Sequence, residues 1–263
     1  MSHLMKNYGR LPVSFDHGQG VWLWDKEGHK YLDALAGIAV NSVGHAHPRL
    51  VRAIADQASK LIHCSNYFNI DLQEQVAEKL VEHSGLEAVF FCNSGLEANE
   101  CAIKIARKFG HAKGIEVPNI IVLKHAFHGR SIATLSATGN PSVRADFSPY
   151  TEGFIFVDES DLDGIRKIVE ENKNVVAIFF EPILGEGGVV PIDLSVIKGI
   201  REICDEHDLL MMCDEVQCGM GRSGKWFAHQ WAEIKPDVIT MAKGLAGGVP
   251  VGAVIVSEKA NIF

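Results

Sequence analysis

The sequence predicts an α/β fold built on a mainly parallel seven-stranded sheet with helices on both faces. Nearly continuous apolar runs of strand length alternate with longer amphipathic stretches along the chain. Strands that are apolar along their whole length belong in a parallel sheet that is covered on both sides. The 263 residues, 47% hydrophobic and 22% charged, suffice for a sizeable core and exclude a disordered chain or a disulfide miniprotein.

The first predicted elements are a hairpin and two helices. Aromatic-rich runs at 20–25 and 30–35 flank a glycine-containing turn, which is typical of a β-hairpin. A helix is predicted over 48–62, because it begins with a proline and its apolar residues recur at helical spacing. The same periodicity predicts a second helix near Asp71–His83.

Seven strands are predicted after these helices, with three more helices between some of them. The predicted strands are Ala88–Cys92, Asn119–Leu123, Phe154–Val157, Val175–Phe180, Leu209–Cys213, Val238–Met241 and Ala253–Val256. The predicted helices are Leu96–Phe109, Leu162–Glu171 and Leu194–Glu206. Because ligands of open parallel sheets bind outside the carboxyl ends of the strands, functional residues should directly follow the strands.

Charge and cysteine content limit the possible functions. Asp and Glu outnumber Lys and Arg by 33 to 25, and a net charge of −8 argues against nucleic-acid binding. No apolar run is long enough to span a membrane, and residues 1–18 lack an apolar signal-peptide core, so we expect a cytoplasmic protein without a membrane partner. The cysteines lack metal-binding spacing and are interpreted as reduced, mostly buried thiols: Cys64, Cys92, Cys101, Cys204, Cys213 and Cys218. His45 and His47 are interpreted as turn residues, so no metal is expected.

Three strand ends each allow two interpretations. Ser94 and Glu97 form a capping box, which alone favours a simple helix cap but also offers a phosphate-sized anion site. Asp214 is either an exposed acid or a carboxylate that faces a cation in the ligand crevice, with Glu215 beside it. Lys243 is either solvated or a desolvated amine whose lowered pKa makes it a nucleophile.

Two further strand ends complete this set of residues. Glu181 and Glu186 follow one strand, and Phe127 and Arg130 follow another. An anion pocket, an acid, an amine, an aromatic ring and an arginine at one sheet edge would suit a phosphorylated carbonyl cofactor held as a Schiff base. The segment 219–225 matches nucleotide-binding glycine patterns, but Trp226 stands where a magnesium-binding Ser or Thr belongs, so nucleotide binding is disfavoured.

Five stretches, in this order, make the chain similar to the class III pyridoxal-phosphate-dependent aminotransferases. They are NSGLEANE at 93–100, FHGR at 127–130, EPILGEGG at 181–188, DEVQCGMGRSG at 214–224 and PDVITMAKGLAGG at 236–248. The resemblance extends over essentially the whole chain. It implies the fold type I architecture, with residues 1–44 as part of a small domain and 45–263 as a pyridoxal-phosphate-binding large domain. It also implies that a C-terminal domain is missing, so we expect this polypeptide to have little activity by itself.

The resemblance also implies a role for each matching residue. Lys243 would form the Schiff base and then move protons, and Asp214 would pair with the pyridine nitrogen of the cofactor. Ser94, Gly95 and Leu96 would bind the phosphate of the cofactor. Phe127 would stack on one face of the ring and Val216 would pack on the other. Gln217 would form a hydrogen bond with the phenolic oxygen. Arg130 would bind the substrate α-carboxylate, and Glu181 and Glu186 would line the pocket.

The implied reaction is transfer of the ω-amino group of N-acetylornithine to 2-oxoglutarate in arginine biosynthesis, by a homodimer. Ornithine, succinylornithine and 4-aminobutyrate are alternative donors. Ile38 stands where ornithine aminotransferases tend to have a Tyr that grips a free α-amino group, and an apolar residue there suits an acylated amine. The alternative from another class is an inactive fragment that only binds cofactor or a partner.

Overall fold

Residues 3–263 are described by a computed structural model, in which the chain forms two units that meet in sequence at Cys64 and Ser65. The sequence places the domain boundary at 44–45 instead, and this division into domains stays a prediction. Residues 1 and 2, which belong to the predicted N-terminal segment and to the region without a signal peptide, lie outside the described residues.

The first unit contains a three-stranded antiparallel sheet and two helical segments. Its strands are β1 (Phe15–Gln19), β2 (Trp22–Asp25) and β3 (Lys30–Leu32), and its helices are α1 (Ala36–Ala39) and α2 (Pro48–Ala58). The hairpin prediction is confirmed for β2 and β3, but β1 was not predicted. Helix α2 ends four residues before the predicted Ile62, and at this end the Ser59 hydroxyl donates to the Asp56 carbonyl.

The second unit contains the seven-stranded sheet that the sequence predicts. Its strands are β4 (Ala88–Cys92), β5 (Asn119–Leu123), β6 (Phe154–Val157), β7 (Val175–Phe180), β10 (Leu210–Asp214), β11 (Val238–Met241) and β12 (Gly252–Val256). A small separate hairpin consists of β8 (Ile183–Leu184) and β9 (Val190–Pro191). The strand order is β4-β12-β11-β10-β7-β5-β6, and only β12 runs antiparallel to its neighbours.

Helices cover both faces of this sheet. They are α3 (Asp71–Ser84), α4 (Gly95–Ala112), α5 (Ile132–Ala137), α6 (Pro141–Arg144), α7 (Leu162–Glu171) and α8 (Leu194–Glu206), with 3-10 turns at Ala228–Ala232, Lys243–Leu245 and Glu258–Ala260. Strand β7 shows why the apolar runs were predictive. Ile178 and Phe180 pack into the core with α7 and α8, whereas Ala177 and Phe179 pack into the core with α4.

The remaining sequence expectations concern cysteines, metals and membranes. All six cysteines are free thiols; Cys204, Cys213 and Cys218 are buried and the other three are partly buried. Among residues 3–263, no cluster of His, Cys, Asp and Glu could hold a metal ion, and His45 Nε2 instead lies 2.6 Å from Asp33 Oδ2. None of the helices in this described part is long and apolar enough to cross a bilayer.

The start of β12 packs tightly against the start of α4. A Cβ added to Gly252 would lie 2.2 Å from the Ser94 carbonyl oxygen, which already accepts from the Ala98 N–H at 3.1 Å. We therefore expect Gly252→Ala to lower the free energy of unfolding by about 1–3 kcal/mol, because backbone atoms must move. Urea unfolding measures this, with Gly9→Ala as the control, since a Cβ at Gly9 would meet nothing within 4 Å. Equal unfolding midpoints for the two variants would contradict the prediction.

Candidate active site

Asp214 is the last residue of β10 and is buried, with 3% of its surface exposed. Its Oδ2 accepts hydrogen bonds from Asn99 Nδ2 at 2.7 Å and from His128 Nδ1 at 2.8 Å, and its Oδ1 accepts from the Val216 N–H at 3.0 Å. These three donors offset part of the cost of burying a carboxylate. Of the two interpretations that the sequence allows, the structure therefore excludes an exposed acid.

Asn99 and His128 hold Asp214 in place, and neither was predicted to do so. Asn99 lies on the buried face of α4 and also donates to the His128 carbonyl at 2.7 Å. The His128 ring stacks on Phe179 with 4.1 Å between ring centroids. The sequence signal that could have revealed Asn99 is its position as a polar residue on the apolar face of α4. Within residues 3–263, His128 Nε2 and Asn99 Oδ1 are buried without a hydrogen-bond partner.

Ser94 caps helix α4, as the capping-box motif predicts. Its hydroxyl oxygen accepts from the Glu97 N–H at 3.2 Å, and the Glu97 carboxylate accepts from the Asn93 N–H at 2.6 Å. The next residue, Gly95, approaches the ends of two other strands. A Cβ at Gly95 would lie 2.7 Å from Val216 Cγ1 and 3.4 Å from the Cβ of Ala242. The helix start that offers an anion site is therefore adjacent to the residue before Lys243.

Lys243 is the second residue after β11, at the start of the 3-10 turn Lys243–Leu245, and is half-buried. Burial lowers the pKa of its amine from the usual value, and the charges of Asp214, Glu186 and Glu181 oppose this shift. Its backbone has φ +33°, a strained conformation for a residue other than glycine. Partial desolvation beside carboxylates favours the second interpretation of Lys243, an amine that is more readily available as a nucleophile.

Glu181 follows β7 and uses both carboxylate oxygens within the protein. Oε1 accepts from the Phe127 N–H at 2.8 Å, and Oε2 accepts from the Gly185 N–H at 3.0 Å. Burial, and then the charge of Asp214, raise the pKa of the Glu181 carboxyl to about 7. Glu181 thus lies beneath two loops at the sheet edge rather than on an open pocket wall.

The other predicted residues are placed around these groups. Phe127 is half-buried, and the Arg130 guanidinium carbon lies 5.5 Å from its ring centroid. Leu96 lies close to Gly129, since a Cβ there would be 3.5 Å from Leu96 Cγ. Gln217 lies against Gly185, where a Cβ would be only 2.3 Å from Gln217 Oε1. Glu186 is exposed but close enough to Lys243 to affect the pKa of its amine.

Glu215, the second acid after β10, has a different environment from Asp214. It is 1% exposed and accepts from the backbone N–H groups of Ala228 and His229 at 2.7 and 2.8 Å and from His229 Nδ1 at 2.9 Å. It therefore anchors the 3-10 turn Ala228–Ala232. Lys225, in the glycine-rich segment, donates to the Gln230 carbonyl at 2.9 Å, consistent with the sequence argument against nucleotide binding.

This arrangement fits a flat, phosphorylated aldehyde whose ring nitrogen is protonated. The N-terminus of α4 offers N–H groups to an anion, and Gly95, which has no side chain, lets this helix start approach Val216 and Ala242. The buried Asp214 carboxylate suits a cationic ring nitrogen, and the desolvated Lys243 amine suits an aldehyde. Group transfer through a bound carbonyl compound is the chemistry that these residues can support.

Comparison with known proteins identifies the class of this chain. Residues 4–262 match the family model described as aminotransferase class-III, and the chain belongs to that family. Among curated proteins, it is 54% identical over 260 residues to an acetylornithine aminotransferase of Nitrosomonas europaea, with 99% of this chain and 66% of the relative covered. It is 52% identical over 261 residues to acetylornithine aminotransferase 1 of Bordetella parapertussis, with 99% of this chain and 66% of the relative covered.

Solved structures show the same relationship. An ornithine aminotransferase from Toxoplasma gondii superposes with a TM-score of 0.93 at 34% identity, over 98% of this chain and 62% of that one. The N-acetylornithine aminotransferase from Stenotrophomonas maltophilia gives a TM-score of 0.84 at 39% identity, over 96% and 64%. The chain thus spans about two thirds of the length of the curated relatives that it matches. These neighbours confirm the predicted fold class and family.

Proposed function

We propose that the protein is a pyridoxal-phosphate-dependent aminotransferase that transfers the ω-amino group of N-acetylornithine to 2-oxoglutarate, a step of arginine biosynthesis. The main support is the position of Lys243 and the buried Asp214 at one sheet edge, where Asp214 ends β10 and Lys243 is the second residue after the neighbouring strand β11. The donor is proposed from the names of the curated relatives at 54% and 52% identity.

The residues of this chain would have distinct roles in the proposed transamination. When bound, pyridoxal phosphate supplies an electron sink for the carbon that loses a proton. Asp214, held by Asn99 and His128, would pair its negative charge with the ring nitrogen. Ser94, Gly95 and Leu96 would hold the phosphate at the start of α4, and the Lys243 amine would hold the carbonyl group and serve as the base that moves the proton.

The other predicted residues would bind and orient the ring and the substrate. Phe127 and Val216 would hold the two ring faces, and Gln217 would form a hydrogen bond with the phenolic oxygen. Arg130 binds the substrate α-carboxylate, to which a guanidinium offers a bidentate contact. Glu186, exposed near Lys243, lines the entrance for the amino donor.

Ornithine is the second candidate donor, because the structural similarity to the Toxoplasma gondii ornithine aminotransferase has a TM-score of 0.93. The test is the visible absorbance of the cofactor-loaded protein, titrated with N-acetylornithine, N-succinylornithine, ornithine and 4-aminobutyrate. We expect N-acetylornithine to shift the band at the lowest concentration, and 2-oxoglutarate to restore it. A band that responds first to ornithine would favour the second candidate. In the whole protein, a band that responds to none of the amines would contradict the proposed reaction.

We further propose that the whole protein is a cytoplasmic homodimer. In the second unit, the edge strand β4 exposes half of Phe90, and Ile132 at the start of α5 is also more than half exposed. An interface between subunits would bury such large apolar side chains.

A further inference from the structure

Glu181 is a buried acid whose position in the sheet links two loops of the candidate site. It follows β7, which lies between β5 and β10 in the sheet. It is 5% exposed, and each of its oxygens accepts one backbone N–H, from Phe127 after β5 and from Gly185 before β9. Buried backbone donors need partners, so both loops depend on this one carboxylate for a hydrogen bond.

The Phe127 bond fixes the loop that follows β5. This loop contains Phe127 itself, His128, which donates to Asp214 at 2.8 Å, and Arg130, whose guanidinium carbon lies 5.5 Å from the Phe127 ring centroid. A shift of the Phe127 backbone would therefore move the aromatic face and the neighbouring cation together.

The Gly185 bond fixes the turn that follows β8. Gly185 approaches the Gln217 side chain so closely that a Cβ would lie 2.3 Å from Gln217 Oε1 and 2.6 Å from Gln217 Cδ. Because no side chain lies between them, the position of this turn limits where the Gln217 amide can lie. Glu181 thus positions the Phe127 ring through the loop after β5, and it positions the Gln217 amide through Gly185.

We propose that Glu181 is a positioning residue, whose carboxylate ties the Phe127 loop to the Gly185 turn and so sets the spacing of Phe127 and Gln217 for a flat cofactor. The cofactor part of this inference rests on the proposed function. It differs from the substrate-lining role that the family resemblance implies, because both oxygens of Glu181 already have backbone partners.

The charged groups around Glu181 set the conditions for a test. Asp214 from β10 repels its negative charge, and burial also opposes ionisation, whereas His128 and the two backbone donors favour it; together they place the pKa at about 7. Lys243 also lies close enough to interact with Glu181. Measurements at pH 8 keep the carboxylate mainly charged, so that both oxygens accept.

Amide hydrogen exchange in the cofactor-free protein directly tests whether the Glu181 carboxylate holds the Phe127 loop and the Gly185 turn. In Glu181→Gln one amide oxygen can still accept, so we expect exchange at least tenfold faster at either Phe127 or Gly185. In Glu181→Ala we expect the same acceleration at both. Ile178, in the middle of β7, reports global unfolding and should not change, and Glu171→Gln, an exposed glutamate at the end of α7, should change none of the three.

The affinity for pyridoxal phosphate tests whether the link between the two loops through Glu181 supports cofactor binding. At pH 8 we expect the dissociation constant of pyridoxal phosphate, followed by protein fluorescence, to rise about tenfold in Glu181→Gln and further in Glu181→Ala. Glu181→Asp, which keeps the charge but is one methylene shorter, should lie between wild type and Glu181→Ala. Unchanged exchange at the Phe127 and Gly185 amides in Glu181→Ala would show that Glu181 does not hold the two loops. Unchanged affinity for pyridoxal phosphate in Glu181→Gln and Glu181→Ala would show that it has no role in cofactor binding. Failure of the wild type to bind pyridoxal phosphate would instead contradict the proposed function, while the exchange experiment still tests the tie.

Discussion

Replacing Lys243 by alanine is expected to lower turnover of amino donor by about 10⁴-fold or more, because nucleophilic attack and proton transfer depend on the same amine. The phosphate site at the start of α4 remains, so the variant should still bind pyridoxal phosphate without a covalent bond. Borohydride reduction followed by peptide mapping should place the label on Lys243 in the wild type and leave the variant unlabelled. A small primary amine added to the variant should restore part of the activity.

Two other lysines serve as controls for this assignment. Lys124 forms an ion pair with Asp158 at 2.8 Å, and Lys225 donates to the Gln230 carbonyl. Lys124 follows β5, which β7 separates from β10, and Lys225 follows no strand directly, so Lys124→Ala and Lys225→Ala should keep the label on Lys243. A label found on Lys124 or Lys225 in the wild type would refute the role of Lys243.

Asp214→Asn is expected to lower turnover by about 10³-fold, as when a preorganised electrostatic partner is removed from an active site. The replacement keeps the shape but removes the charge that would face the ring nitrogen. One of its three hydrogen bonds becomes a contact between two donors, so the free energy of unfolding should fall by only about 1–2 kcal/mol. Steady-state kinetics and urea unfolding measure the two effects separately.

Glu215→Gln is the matched comparison, because it makes the same chemical change at the next residue. Glu215 accepts from Ala228, His229 and Cys218 and anchors a turn instead of facing Lys243. We expect its loss of stability to be at least as large as that of Asp214→Asn and its loss of turnover to be much smaller. Near-normal turnover of Asp214→Asn, or equal losses of turnover in both variants, would exclude the proposed role of Asp214.

The sheet was predictable because its strands are buried on both faces. The bounds of β4, β5, β6, β7 and β11 agree with the prediction, β12 begins one residue earlier than predicted, and β10 is shifted by one residue at both ends. Short elements were missed: α5, α6 and the β8–β9 hairpin are too short to show a hydrophobic period.

The candidate site was predictable only where chemistry follows a strand directly. Lys243 and Asp214 were found in this way, but their surroundings depend on contacts between distant parts of the chain. Asn99 and Asp214 are 115 residues apart, and His128 and Asp214 are 86 residues apart. No local pattern shows that an amide in α4 and an imidazole after β5 will meet one carboxylate. For the same reason, the sequence did not reveal that Glu181 would bind two loops.

The antiparallel strand β12 has a consequence for the time at which the site forms during synthesis. Strand β4 emerges early from the ribosome, yet the only strand that it pairs with is β12, through Gly252–Val256, among the residues that the structure describes. Until β12 is made, β4 and β11 each expose an unpaired edge, which is the kind of surface through which incomplete chains aggregate. Closing a loop this long slows folding, because its entropy must be lost before the new contacts form. Insertion of β12 therefore brings the start of α4 and the end of β11 together only after β12 has been made, so a shorter nascent chain lacks the complete cofactor site.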